Sequence, residues 1–149
     1  MSDKVLIDTN VLVYAYDRRE PLKQERAIGV LDRLATTARG FLSTQVLAEF
    51  FWVTTTKLPD PLTVEEAGER VGVYLRCWSI EPITSLIVLE AVRGVREHHL
   101  SFWDAQIWAT ALLTQSNLVV SEDFQNDSII EGIRFLSPFT RQFEFTQLG

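Results

Sequence analysis

The sequence has little of several features that mark particular protein classes. Its 149 residues include one cysteine, Cys77, and two histidines, so it can form no internal disulfide, and no Cys/His spacing indicates zinc. No apolar run approaches the ~20 residues needed to span a bilayer. The N-terminus lacks the basic and apolar regions of a signal peptide. These absences favour a cytoplasmic protein that contacts no membrane.

Positive charge is also scarce. Fourteen Lys and Arg residues stand against twenty Asp and Glu residues, and the net charge is −6. A nucleic-acid binder is usually basic, because neutralising phosphates supplies much of its affinity. Either the partner is not a nucleic acid, or the acids gather at a site where metal cations reverse the local sign of the charge.

The composition is that of an ordinary globular chain, with 46% hydrophobic and 23% charged residues. We expect a single domain over 1–149, with a core over about 3–139 and a tail, 140–149, that has no clear pattern. There is no internal repeat, and "LPDPL" is too short to link two domains.

Short apolar runs alternate with longer helical patterns along the chain. Strands are predicted at 5–7, 41–43, near Ile80, at 117–121 and within 132–137. Helices are predicted at 10–17, from Pro21 to about 39, from a Thr44 cap onward, at 64–78, from a Thr84 cap to about His98, and from a Ser101 cap to about 115. This alternation predicts an α/β domain with a mostly parallel sheet of four or five strands.

Four acids lie in or beside apolar stretches, where a random surface acid is not expected. Asp8 and Asp123 follow predicted strands, and the carboxyl ends of parallel strands form the usual ligand crevice of such sheets. Glu49 and Asp104 lie in the first turns of helices that can start at the same edge. The four side chains are therefore candidates for one shared site.

Four negatively charged side chains at one site would repel one another, and this repulsion must be offset. Two unit charges ~4 Å apart at an effective dielectric of ~20 repel by ~4 kcal/mol. A hard divalent cation removes this conflict, since Mg²⁺ or Mn²⁺ prefers oxygen ligands and is commonly held by a few carboxylates together with substrate phosphate. The substrate implied is a phosphodiester.

Each acid also has a purely structural interpretation. Asp8 is placed to cap the helix that starts near Asn10, and Asp104 to be the capping partner of Ser101. Glu49 fits a solvated helix position, and Asp123 fits a turn in "SEDFQND". Only the joint pattern of four favours a metal site.

At these residues the chain resembles the PIN-domain ribonucleases, in particular the VapC-type toxins of bacterial toxin–antitoxin pairs. The resemblance covers nearly the whole chain, from "VLIDTNVLVYAYD" through "STQVLAEF" and "LSFWDAQIWATAL" to "LVVSEDF" and "IRFLSPF". It implies a PIN-like three-layer fold, in which helices flank the sheet, and an acidic pocket for Mg²⁺ or Mn²⁺.

By this resemblance Asp8, Glu49, Asp104 and Asp123 are the metal-site and catalytic acids. Asp8 and Asp104 are expected as direct ligands, and Asp123 more often acts through water. Asn10, Ser121 and, more weakly, Thr9 are expected to orient acids or water. The partners implied are an RNA substrate, a VapB-like antitoxin and a second copy of the chain in a homodimer.

The expected chemistry is hydrolysis by metal-activated water, leaving a 5′-phosphate and a 3′-hydroxyl. Two alternatives remain open. A haloacid-dehalogenase-like phosphatase also places an Asp at a strand end, but its pattern needs a second Asp where this chain has Asn10. A catalytically silent acidic module that binds RNA or protein is the other alternative.

The remaining conspicuous side chains are interpreted as structural. The four tryptophans are expected to pack or to make a dimer contact rather than to stack on bases: Trp52, Trp78, Trp103 and Trp108. Cys77 is expected to be a small core residue.

Overall fold

The computed structural model describes residues 2–149, in which helices alternate with the strands of one sheet. The strands are β1 (Ser2–Ile7), β2 (Gly40–Ser43), β3 (Ser79–Glu81), β4 (Ser116–Val120), β5 (Ile129–Ile130) and β6 (Ile133–Leu136). The helices are α1 (Thr9–Tyr14), α2 (Pro21–Thr36), α3 (Thr44–Thr56), α4 (Val64–Cys77), α5 (Ser85–His98) and α6 (Phe102–Leu113), followed by a 3₁₀ helix at Phe145–Leu148.

The sheet has the order β3-β2-β1-β4-β6-β5 and is parallel except for the short β5. Ile7 pairs with Val120, and Leu6 pairs with Phe41 on the other side. The ladder extends one residue past β1, where the Asp8 amide donates to the Val120 carbonyl at 3.0 Å. The α/β fold with a mostly parallel sheet is confirmed, and β5 adds a strand that the sequence did not predict.

The central strand β1 is buried on both faces. Val5, Leu6 and Ile7 are at most 1% exposed, although successive side chains of a strand point to opposite faces. Helices must therefore cover both faces of the sheet, as is usual for parallel sheets. The apolar run ahead of Asp8 is explained by this double burial.

Two local predictions were wrong. Ser43, not Thr44, caps α3, since its hydroxyl accepts from the Val46 amide at 3.2 Å, whereas the Thr44 hydroxyl accepts from the Ile83 amide at 3.0 Å. Cys77, the last residue of α4, is exposed rather than part of the core.

The segment after residue 139, expected to lack a pattern, packs on the domain. Phe143 and Leu148 belong to the buried core cluster. Phe145 lies so close to α2 that a Cβ added at Gly29 would be 2.7 Å from its Cζ. Glycine at this position therefore lets the 3₁₀ helix approach α2 directly.

The β5–β6 hairpin is anchored to the α5–α6 pair. Glu131, at φ 51° in the left-handed region, accepts two hydrogen bonds from Arg93, at 2.8 and 2.9 Å, and contacts His98 Nε2 at 2.5 Å. The fully buried Trp108 donates from Nε1 to the Ile130 carbonyl at 3.2 Å. Among the described residues, no helix has the length and apolar character needed to cross a membrane.

Candidate metal centre

Three carboxylates meet at the carboxyl edge of the sheet. Asp8 follows β1 and caps α1, Asp104 lies in the first turn of α6, and Asp123 lies in the loop after β4. One oxygen from each of the three lies within 4.8 Å of the others. The fold thus brings together three of the four acids that the sequence singled out.

Asp8 is the buried member of this cluster, with 4% of the residue exposed. Its Oδ1 accepts from the Thr9 amide at 2.7 Å, and its Oδ2 accepts from the Ser121 hydroxyl at 2.7 Å. No Lys, Arg or His forms an ion pair with it among the described residues. Burial raises the pKa of the Asp8 carboxyl from 3.8 to about 7, although the hydrogen bonds from Ser121 and Thr9 oppose the rise.

Asn10 and Ser121 connect Asp8 to the loop that carries Asp123. The Asn10 amide nitrogen lies 3.4 Å from Asp8 Oδ2 and 3.2 Å from the Ser121 hydroxyl, and the Asn10 carbonyl accepts from the Glu122 amide at 3.1 Å. The Ser121 hydroxyl also accepts from the Asp123 amide at 3.0 Å. These contacts fix the position of the loop relative to Asp8.

Asp104 belongs both to the cap of α6 and to the carboxylate cluster. The Ser101 hydroxyl accepts from the Asp104 backbone amide at 3.2 Å, and one carboxylate oxygen of Asp104 lies in the cluster. The side chain is half-buried. Its pKa is raised by burial and, to a smaller extent, by the negative charge of Asp123.

Glu49 lies beside the three-carboxylate cluster rather than in it. Its Oε1 accepts from the Gln45 amide at 2.8 Å and from the Thr9 hydroxyl at 3.4 Å. Burial raises the pKa of Glu49, and the charges of Asp104 and Asp123 add to the rise. Because the pKa of an acid is shifted only by charges that lie nearby, all four acids share one electrostatic environment.

Two buried glutamines that the sequence interpretation missed hold Glu49 in place. Gln45 donates both to Glu49 and, at 3.1 Å, to the Trp103 carbonyl, and its own carbonyl accepts from Gln106 at 2.9 Å. The contacts join α3 to α6, which carry Glu49 and Asp104. Two signals were available: Gln45 precedes Glu49 by one helical turn, and Gln106 interrupts an apolar helix.

A second missed group lies next to the centre. The Glu122 carboxylate accepts from Lys23 at 2.6 Å and from the Tyr14 hydroxyl at 2.8 Å. The Lys23 ammonium also lies 4.7 Å from the centroid of the Tyr14 ring. This group holds α1 and α2 against the loop after β4.

The donor set fits a hard divalent cation. It consists of carboxylate oxygens, and the buried Asp8 carboxylate has hydrogen-bond donors but, within residues 2–149, no cationic side chain that pairs with it. Mg²⁺ and Mn²⁺ prefer oxygen ligands of this kind, whereas zinc sites usually contain Cys or His. The chemistry of the residues therefore suits the ion that the sequence predicted.

Residues 5–129 match the profile of the PIN domain family. Since the match covers most of the chain, the protein belongs to the PIN domain family, and the resemblance seen in the sequence is confirmed. A search of curated proteins by sequence found no match.

Solved structures that are similar to this chain in fold include a toxin–antitoxin complex and a toxin. A toxin–antitoxin complex from Klebsiella pneumoniae has a TM-score of 0.67 and 21% identity, over 91% of this chain and 98% of that chain. VapBC2 from Rickettsia felis, bound to a fragment of promoter DNA, has a TM-score of 0.64 and 16% identity, over 89% and 97%. VapC20 from Mycobacterium tuberculosis, a Sarcin-Ricin loop cleaving toxin, has a TM-score of 0.60 and 17% identity, over 88% and 99%.

Proposed function

We propose that this protein is a metal-dependent endoribonuclease that hydrolyses RNA phosphodiester bonds, with Mg²⁺ or Mn²⁺ held by Asp8, Asp104 and Asp123. The observation that carries the proposal is the convergence of three carboxylates within 4.8 Å, of which Asp8 is buried. Membership of the PIN family and similarity in fold to an RNA-cleaving toxin support RNA as the substrate.

Each residue of the centre has a proposed role. The bound ion would neutralise the carboxylates, polarise a phosphate oxygen and lower the pKa of a water ligand. The Thr9 amide and the Ser121 hydroxyl hold Asp8 in a single orientation. Glu49 is the proposed proton acceptor for the attacking water, because it lies beside the cluster and has a raised pKa. The expected products carry a 5′-phosphate and a 3′-hydroxyl.

The proposed biological role is that of a cytoplasmic toxin in a type II toxin–antitoxin system. The support is that the similar structures include toxin–antitoxin complexes. We expect a VapB-like antitoxin as a partner, and a homodimer. An apolar stripe on α5, formed by Leu86, Leu89 and Val92, favours the homodimer, since Leu86 and Leu89 are each 67% exposed.

The first test is cleavage of a labelled RNA with Mg²⁺, with Mn²⁺ and with EDTA. We expect cleavage only with a metal, and at least a 100-fold loss of rate in Asp8→Asn and Asp104→Asn, since removal of a single charge-stabilising group commonly costs about 10²–10³ in rate. Asp60→Asn, in an exposed loop, is the matched control and is expected to retain the wild-type rate.

The product ends and a second substrate separate the alternatives. A 2′,3′-cyclic phosphate product would contradict hydrolysis by water. Release of phosphate from p-nitrophenyl phosphate without RNA cleavage would favour the phosphatase, although Asn10 occupies the position where that family pattern has its second acid. RNA binding without cleavage under any metal would indicate the silent binding module.

A further inference from the structure

A groove of about 350 Å³ runs beside the metal centre. Its walls include Asn10 and Asp123 on one side and Glu49, Val53 and Lys57 of the α3 side on the other. Positions four apart on a helix lie on the same face, so Val53 and Lys57 continue the line that Glu49 begins. At about 1.5 Å per residue, Lys57 lies roughly 12 Å along the helix axis from Glu49.

The charge of this groove is uneven. Arg19 also lines it, but its guanidinium makes a two-point contact with Asp17, Nε–Oδ1 at 3.1 Å and Nη2–Oδ2 at 3.0 Å. No carboxylate lies within ion-pair distance of Lys57 among the residues that the structure describes. Lys57 is therefore the groove cation whose charge remains available to an external anion.

The Lys57 ammonium lies over an exposed aromatic ring. It is 4.8 Å from the centroid of the Trp52 ring, within the range of a cation–π contact. Trp52 is 55% exposed, whereas Trp108 is fully buried, so the internal packing expected of the tryptophans is seen for Trp108, and the Trp52 ring is accessible to a partner molecule. An exposed indole ring thus lies beside an ammonium whose residue lines the groove.

We propose that Trp52 and Lys57 form a binding subsite for single-stranded RNA. Lys57 contacts a backbone phosphate further along the strand than the one at the metal centre, and Trp52 stacks on an unpaired base. The subsite rests on the proposed ribonuclease function, since Lys57 lines the groove beside the metal centre. A cation at the edge offsets the repulsion between the acidic groove and a polyanion, and stacking requires a base that is not already paired.

Binding is tested by fluorescence anisotropy with a labelled 12-nucleotide single-stranded RNA in EDTA. We expect Trp52→Ala to bind about tenfold more weakly, because it loses the stacking contact with one base. Trp52→Phe, which keeps a ring, is expected to retain most of the affinity. Lys57→Met is expected to reduce the slope of log K against log salt by about 0.7, the value for one phosphate contact on a single strand.

Controls separate this subsite from general effects on the surface. Leu75→Ala and Arg76→Met change exposed residues of α4 that do not line the groove, and both are expected to bind RNA like the wild type. A fully paired duplex of the same sequence should bind Trp52→Ala and the wild type equally. Urea unfolding checks that each variant is folded.

The outcomes distinguish this inference from the proposed function. Binding of RNA within twofold of the wild type by both Trp52→Ala and Lys57→Met would overturn the subsite, even if the wild type cleaves RNA. A change of sedimentation coefficient in Trp52→Ala, with unchanged RNA affinity, would also overturn it and assign Trp52 to a protein interface. RNA binding that depends on Trp52 without cleavage would uphold the subsite and contradict the nuclease proposal.

Discussion

In the metal-free protein, the buried Asp8 carboxyl should make folding stability depend on pH. Its pKa is raised from 3.8 to about 7, chiefly by burial. The folded state therefore binds the Asp8 proton more tightly than the unfolded state does. The stabilisation that results is fully present below pH 3.8 and is lost as the pH rises to about 7. A shift of about 3 pKa units corresponds to roughly 4 kcal/mol.

Asp8→Asn removes this dependence while keeping the size of the side chain. We therefore expect the free energy of unfolding of Asp8→Asn minus that of the wild type to increase by about 2.5 kcal/mol between pH 5 and pH 8. The assay is urea unfolding followed by tryptophan fluorescence, in EDTA, at several pH values. The exposed Asp60→Asn variant provides the control and should show no such change.

Magnesium gives the same experiment a second arm. A cation that binds the folded state through the ionised Asp8 carboxylate stabilises the wild type by mass action, and more so at pH 8 than at pH 6. Asp8→Asn should gain little. A stability difference that stays constant within about 0.5 kcal/mol from pH 5 to pH 8 in EDTA would refute the inference that Asp8 is buried without a compensating cation.

Three further predictions concern the contacts around the centre and the hairpin. Ser121→Ala removes a hydrogen bond that lowers the pKa of Asp8. In the same urea assay, the free energy of unfolding should therefore continue to fall to a higher pH than in the wild type. A shift to lower pH would contradict this role. Gln45→Leu leaves buried hydrogen-bonding partners unsatisfied and should cost about 1–3 kcal/mol in urea unfolding, with an additional loss of RNA cleavage that a merely destabilised control does not show. Glu131→Gln removes the negative charge that pairs with Arg93. This pairing lowers the pKa of Glu131 to about 2, so its contribution to the free energy of unfolding is present above pH 4.5 and is lost as the pH falls toward 2. Since the Glu131 side chain is 35% exposed, the loss at pH 7 should stay below about 1 kcal/mol, and a fall in Tm of more than about 5 °C would contradict a solvent-screened pair.

The sequence was most informative where a charge interrupts an apolar pattern. Asp8 follows a strand that is buried on both faces, and a helix begins at Thr9. Its location at the edge of the sheet can therefore be predicted from the local sequence. Asp104 is predicted as a capping partner of Ser101, and the structure confirms a contact between its backbone amide and the Ser101 hydroxyl. Local patterns thus indicated which acids lie at the edge of the sheet.

The contacts between distant segments could not be predicted in this way. The pairing of Gln45 with Gln106 and the position of Lys57 over Trp52 depend on how helices pack and how long side chains turn, and neither leaves a periodic signal. The two-residue β5 is too short for any alternation. The close approach of Phe145 to α2 depends on the absence of a side chain at Gly29.

The order of strands has a consequence for how the protein is made on the ribosome. Ile7 leaves the ribosome well before its partner Val120 and before Asp104 and Asp123, which complete the carboxylate cluster. Contacts this distant in sequence close slowly, after the intervening segments have collapsed. A nascent chain that does not yet contain Asp123 carries an incomplete carboxylate cluster, so the proposed cleavage activity requires synthesis to have passed that residue.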